Sequence, residues 1–308
     1  MRAVKFAIAI PQFYADGEFD PAAFRSYFSR VEELGFDSAW AQENMLGAAP
    51  QLGPLETMTY AAACTQRIRV GCAVFVSTLH GPVHLAKSLA SLDQLSRGRI
   101  DVGVGTGGKG RQFAAFGVDP DRYVARFTEG IALMKALWTE PRVTFDGEFW
   151  QLQNAPMEPK PFQKPYPPLW FGCASEPALR RAVRMGDGFF GAGSSPTDRF
   201  AEQVQIVRRA LAEAGRAAGS FPIAKRVYVA IDDDAERARD RTNAALEGIY
   251  GHRVPAIEAA AFAGTAADCV REVNQVAAAG AELILFTALF DQREQMEQLA
   301  AAVLPKLG

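Results

Sequence analysis

The stretch Asp101 to Gly110, DVGVGTGGKG, holds five glycines in ten residues. Such a run lets the backbone approach a ligand closely, because glycine has no side chain and accepts positive φ. Gly103, Gly105 and Gly108 fit the dinucleotide spacing G-x-G-x-x-G, and read on to Lys109 they nearly fit the nucleoside-triphosphate loop G-x-x-x-x-G-K-[ST]. Gly110 stands where that loop needs a hydroxyl for magnesium, so the triphosphate reading fails. The dinucleotide reading fails on position. Its fingerprint follows the first strand, with an acidic residue about twenty positions on, whereas these glycines follow the fourth candidate strand and residues 120–125 read as the start of a helix. What remains is a strand end whose N–H groups, with Lys109 and Arg111 beside them, suit a phosphate, or else a glycine-rich turn without a ligand. A second small-residue run, Gly172-Cys173-Ala174-Ser175, leads from a strand into a helix near Glu176-Pro177. Ser175 suits the N-cap and Pro177 the first turn, so this run is either a second phosphate site or a simple cap. Arg180, Arg181 and Arg184 form the solvated face of that helix, with Arg180 or Arg181 placed to lean toward an anion.

The elements that must position these residues alternate regularly. Eight β-rich runs (4–10, 37–41, 68–76, 99–105, 168–172, 187–191, 223–231 and 282–286) are separated by amphipathic stretches. In PAAFRSYFSRVEELG, Phe24, Phe28, Val31 and Leu34 recur at three- and four-residue steps, and Gly35 ends the helix. Leu85, Leu89, Leu92 and Leu95 form the same kind of stripe in the stretch after Gly81. Eight strand–helix units in 308 residues predict a closed (β/α)₈ barrel, a TIM barrel of α/β class, as one domain over 1–308. Two segments break the alternation. Residues 141–167 carry a hairpin signal at Asp146-Gly147 and then a proline-rich extended run, and 248–265 reads as a lid-like segment with a short helix. Both are expected to wall the substrate pocket. Gln12 and Phe13 follow the first strand into the barrel mouth, where Phe13 either walls a pocket or packs in the core. Ser77 and Thr78, after the third strand, either donate to a ligand or cap a turn. Asp232-Asp233-Asp234 caps the helix that follows it.

Bulk properties exclude several function classes. The net charge is −2 with both signs interspersed, which gives no field for nucleic acid or a membrane surface, and no apolar run approaches the ~20 residues of a span. Cys64, Cys72, Cys173 and Cys269 show no C-x-x-C spacing and read as buried thiols of a reducing cytoplasm. With only His80, His84 and His252 as histidines, no metal centre is expected.

The blocks GFDSAWAQEN (35–44), TQRIRVGCAVFVSTLHGPVHLAKSLASLDQLSRGRIDVGVGTG (65–107), ARFTEGIALMKALWTEPRVTFDGEFW (125–150), PKPFQKPYPPLWFG (159–172) and RRAVRMGDGFF (180–190) resemble, in order and over nearly the whole chain, the bacterial-luciferase-like oxidoreductases. That family includes FMN-dependent monooxygenases and coenzyme F420-dependent dehydrogenases. The resemblance implies a barrel whose C-terminal mouth binds a reduced flavin or deazaflavin. Gly105, Thr106 and Gly107, with Gly172, Cys173, Ala174 and Ser175, would hold the phosphate. A bulged third strand with a non-prolyl cis peptide at Ala73-Val74 would stand behind the ring. Relatives commonly carry an acid–His pair at the end of the second strand, where this chain has Glu43-Asn44. Asn44 cannot shuttle a proton, so Glu43, or His80 from the next loop, takes the acid–base role. F420 is favoured over FMN, because GVGTGG with Lys109 and Arg111 resembles the F420 branch. The expected activity is hydride transfer between F420 and a small organic substrate. The alternatives are an FMN monooxygenase using reduced FMN and oxygen, a non-catalytic flavin-binding protein, for which Asn44 is the support, and a sugar-phosphate barrel enzyme; a separate flavin or F420 reductase is a candidate partner of the redox readings. A cytoplasmic homodimer is expected.

Overall fold

Helix signals in the sequence become helices for identifiable reasons. The chain was analysed as a computed structural model that describes residues 4–14, 18–47, 50–108 and 110–307. After strand β1 (Lys5–Ala9), the carboxylate of Asp20 accepts the N–H groups of Ala22 and Ala23 and starts α1 (Pro21–Glu33). Gly35, at φ +79°, closes that helix. Phe24, Tyr27, Phe28 and Val31 on its inner face are buried. The alternation continues through β2 (Ser38–Ala41), α2 (Pro54–Cys64), β3 (Arg69–Val76), α3 (Pro82–Ser96) and β4 (Ile100–Gly105). On α3, Leu85, Leu89 and Leu92 are buried as the stripe predicts, but Leu95 is 72% exposed, having rotated past the edge of the face. A short helix α4 (Arg111–Ala115) precedes α5 (Tyr123–Thr139). The hairpin β5 (Val143–Asp146) and β6 (Gln151–Ala155) forms about the predicted turn. Then come β7 (Leu169–Gly172), α6 (Glu176–Met185), β8 (Gly188–Gly191), α7 (Thr197–Glu213), β9 (Ile223–Ile231) and α8 (Ala235–Tyr250), the last capped by the Asp234 carboxylate. The chain ends through α9 (Pro255–Glu258), β10 (Phe262–Gly264), α10 (Ala266–Ala278), β11 (Leu283–Ala288) and α11 (Gln292–Gln298).

The strands β1, β2, β3, β4, β7, β8, β9 and β11 pair in parallel in that order, and β11 returns to β1. The sheet is therefore a closed eight-stranded barrel. All eight predicted strands are present, with ends shifted by a residue or two. Trp40, Trp170 and Phe190 meet inside the barrel with ring centroids 4.9–6.1 Å apart. Ala7, Ala224, Leu283 and Leu285 pack around them and complete an apolar floor.

The segment 248–265 and the proline-rich part of 141–167 lie at opposite ends, while the hairpin packs along α5, where Glu129 accepts the N–H groups of Glu148, Phe149 and Trp150. Val229 of β9 pairs with Ala288 of β11 on one side and Phe262 of β10 on the other. β10 thus takes the place beside β9 that β8 leaves after Gly191, so 248–265 supplies a strand as well as a short helix and adds to the wall of the mouth. The proline-rich run does not. Gln163 donates to both carboxylate oxygens of Asp93 and to the carbonyl of Ile100, which tethers the run at the N-terminal end of β4. A segment that leads from a helix into a strand is delivered to that end of a barrel, away from the catalytic rim. Cys64 and Cys173 are only partly buried, whereas Cys72 and Cys269 are buried.

Candidate active site

The C-terminal rim is shaped by one irregularity in β3. Cys72 faces Val102 and Phe75 faces Val104, so Ala73 and Val74 together oppose Gly103, and the Ala73–Val74 peptide is cis. The bulge aims Val74 at the neighbouring strands. A Cβ on Gly105 would lie 2.8 Å from Val74 Cγ2, and one on Gly172 would lie 2.8 Å from Val74 Cγ1. A Cβ on Gly103 would lie 2.1 Å from the Cys72 carbonyl oxygen. These three glycines therefore make room for the bulge. The exposed glycines of the rim are Gly107, at φ +68°, where a Cβ would lie 2.5 Å from Val76 Cγ1, and Gly108, where one would find nothing within 4 Å. Thr106 stands beside them, with its carbonyl accepting the Thr78 hydroxyl at 2.8 Å. Lys109 and the side chain of Arg111, expected as cationic partners here, lie outside the described residues.

The second small-residue run is adjacent. The Gly105 position lies within 3.3 Å, measured from a Cβ, of the Gly172 carbonyl oxygen. Ala174 and Ser175 are exposed, and Gly172 and Cys173 are partly buried. Ser175 occupies the cap position of α6, but its hydroxyl caps nothing, contrary to the simple-cap reading. Burial pushes the Cys173 thiol up to about 12, which keeps it protonated and inert near neutrality. Arg180 does not lean toward the rim. It pairs with Glu176 and Glu213, and Arg181 lies over the Phe127 ring.

The acid–base candidates meet in a way the sequence did not specify. The Glu43 side chain is fully buried and the His80 side chain is 15% exposed. Glu43 Oε2 accepts the Val76 N–H at 2.6 Å, and Oε1 lies 2.8 Å from His80 Nε2. Glu43 and His80, predicted as rivals, form one hydrogen-bonded pair. Asn44 is exposed and accepts from Gln112 of α4 at 3.3 Å. Glu43, Val76, Leu79, Gly107, Gln112 and Phe113 line a cavity of about 510 Å³ between these loops. The Ser77 hydroxyl, next in the chain to Val76 of that lining, is buried with no hydrogen-bond partner. Gln12, in contrast, is not available to a substrate. Its amide bridges the backbone of Gln42 and the carbonyl of Leu52. Phe13 is partly buried and forms an isolated bridge with Gln51.

Sequence reasoning missed Arg226 and Thr287. Both lie on strands with period-two alternation, and Ala224, Leu283 and Leu285 face the barrel interior, so Arg226 and Thr287 face it as well. The signal was present in IAKRVYVAI as a cation on the strand face opposite Ile223 and Val227.

The donor set suits a phosphorylated coenzyme. Two contacting rim loops present side-chain-free backbone and an uncommitted cap hydroxyl, and the turn after β3 holds an unpartnered buried serine hydroxyl. Comparison with known proteins points the same way. The profile of the luciferase-like monooxygenase family matches residues 3–304. An F420-dependent glucose-6-phosphate dehydrogenase of Beutenbergia cavernae is 32% identical over 237 residues, 73% of this chain and 69% of that protein. Its counterpart from Kineococcus radiotolerans is 29% identical over 235 residues, 73% of this chain and 68% of that one. Among solved structures, an F420-dependent secondary alcohol dehydrogenase in complex with an F420-acetone adduct superposes with a TM-score of 0.85 at 19% identity, covering 99% of each chain. Monooxygenase RslO1 from Streptomyces bottropensis superposes with a TM-score of 0.84 at 24% identity, covering 99% of this chain and 100% of that one. These two likenesses establish the fold.

Proposed function

The chain belongs to the luciferase-like monooxygenase family, and we propose that it is a coenzyme F420-dependent oxidoreductase acting on a small organic substrate. The observation that carries the reading is the hydrogen-bonded Glu43–His80 pair at a cavity beside a rim of side-chain-free backbone. The F420-dependent relatives support the choice of coenzyme. In this reading the main-chain amides of Gly105, Thr106 and Gly107, with Gly172, Cys173, Ala174 and Ser175, hold the phosphorylated tail, and Ala73, Val74 and Ser77 border the ring.

When bound, the deazaflavin supplies a two-electron hydride donor or acceptor, the hard step that the protein does not perform itself. The protein manages the proton. Converting an alcohol to a carbonyl releases one proton with the hydride, and the reverse takes one up. The Nε2–Oε1 contact already holds one proton, so the proton exchanged with the substrate goes to His80 Nδ1, where the Glu43 carboxylate, fixed by the Val76 N–H, balances the imidazolium that forms. Asn44 orients the reacting oxygen through its amide, and Phe13 lines the approach. The buried aromatic floor of Trp40, Trp170 and Phe190 excludes water from below. A homodimer belongs to the same proposal, which sedimentation checks, and the FMN alternative would add a separate reductase.

The test is a side-by-side titration with F420 and FMN, followed by anaerobic turnover over a substrate panel. F420 reduction or oxidation without oxygen uptake meets the proposal. Oxygen consumption with peroxide or an oxygenated product would replace it with an FMN monooxygenase. Binding without any turnover would leave a coenzyme-binding protein.

A further inference from the structure

One cation inside the barrel has no part in this chemistry. Arg226 points inward from β9, one inward position nearer the rim than Ala224 of the apolar floor. Its Nε is buried without a hydrogen-bond partner, and among the described residues none forms an ion pair with it. The stem is confined. A Cβ on Gly193, just past β8, would lie 3.1 Å from both Cγ and Cδ of Arg226. On the neighbouring strand the next inward position toward the rim is Thr287, only 6% exposed, and its hydroxyl is also unpartnered. A guanidinium cannot shed its charge; Arg226 is partly exposed, with one N–H buried and unpartnered, so its head is open to an anionic ligand that would supply the missing counter-charge. The ring of eight strands places β9 four positions from β3 in either direction. Arg226 therefore faces the bulged strand across the mouth, on the wall a coenzyme bordering β3 would leave open.

We infer that Arg226 and Thr287 form an anion-recognition subsite for the substrate. The substrate class is thus a small organic molecule bearing a carboxylate or phosphate, held by a charge-assisted guanidinium contact while its reacting carbon lies between Arg226 and β3. The inference rests on the oxidoreductase reading, and the experiment separates the two. Inorganic phosphate and benzoate are titrated by calorimetry into wild type, Arg226→Leu, Arg226→Lys and Thr287→Val. Each protein is used alone and premixed with F420, whose own affinity is measured in parallel. Wild type should bind at least one probe in both states. Arg226→Leu should weaken that probe at least ~30-fold and Thr287→Val by about fivefold, with F420 affinity unchanged. Arg226→Lys should retain part of the binding. Should Arg226→Leu not fold, the lysine and valine variants carry the comparison. Neither probe binding wild type, probe affinity indifferent to these substitutions, or a loss confined to F420 affinity would each overturn the inference, the last by giving the arginine to the coenzyme. Probe binding that depends on Arg226 without any F420 or FMN binding would leave the subsite standing and remove the oxidoreductase reading alone.

Discussion

Glu43 and Lys225 are both buried ionisable groups, and their partners set their roles. Glu43 accepts one N–H and one imidazole contact. In Glu43→Gln the amide oxygen keeps the Val76 contact, but the group can no longer balance the imidazolium that forms on His80. The kcat should fall about 10²–10⁴-fold, with Tm and F420 affinity nearly unchanged; an unaltered kcat would move the acid–base role elsewhere. Lys225 faces the helical layer, and its ammonium donates to the carbonyls of Ala192 and Ser195. Burial, aided by the adjacent Arg226 charge, lowers its pKa from 10.5 to about 7. Between those values the unfolded chain binds one proton more than the folded chain, so this group makes stability rise with pH across that window. Below about 7 both states are charged and the desolvation penalty is fully present. Lys225→Met removes the effect. The wild-type unfolding free energy should therefore gain on the variant from pH 7 to 10, with a slope approaching about 1.4 kcal/mol per pH unit. Urea melts at three pH values check this, and a pH-independent difference would contradict it.

The glycines of β4 and β7 show what a linear motif hides. Read in sequence, Gly103, Gly105 and Gly108 looked like parts of one ligand loop. In the fold, the first two accommodate the β3 bulge and the last faces open space. A graded alanine series follows. Gly103→Ala, which sets a Cβ against backbone, should destabilise most, by ~3 kcal/mol or more. Gly105→Ala and Gly172→Ala, which meet a valine methyl, should each cost about 1–3 kcal/mol, and Gly108→Ala should leave Tm unchanged. Equal losses at all four positions would mean that the cradle is misassigned. Asp234→Ala should cost about 1 kcal/mol in thermal melts through loss of the α8 cap, in which Asp234 accepts the Glu236 and Arg237 N–H groups. Elements governed by local rules were legible in the sequence: the eight strands, the Gly35 stop, the Asp146-Gly147 hairpin and the Asp234 cap. Contacts made across the chain were not. Nothing near Gln12 announces that its amide clasps Gln42 and Leu52, thirty and forty residues away. Strand β10 was missed because three residues give too short an alternation to read. Glu43 and His80 were both singled out, but their pairing depends on β2 and β3 lying side by side.

At the scale of the whole molecule, closure decides where chemistry is possible. Loops leaving strands gather at one rim, which collects Glu43, His80, the exposed glycines and the α6 start, while the proline-rich run is delivered to the other end. No helix among the described residues is long and apolar enough to cross a membrane. In the proposed reading the rim joins three independent parts: backbone for a phosphorylated tail, a proton-holding pair, and an inward arginine on the far wall. They act together only if a coenzyme lies across the mouth with its tail on the glycine side. The most direct measurement is an equilibrium titration with F420 and, in parallel, with the same deazaflavin lacking its phosphorylated tail, followed by quenching of tryptophan fluorescence from the barrel floor. Saturable micromolar binding of F420, and much weaker binding of the tailless compound, is the expected result. Equal affinities for the two compounds, or no saturable quenching by F420, would contradict the account.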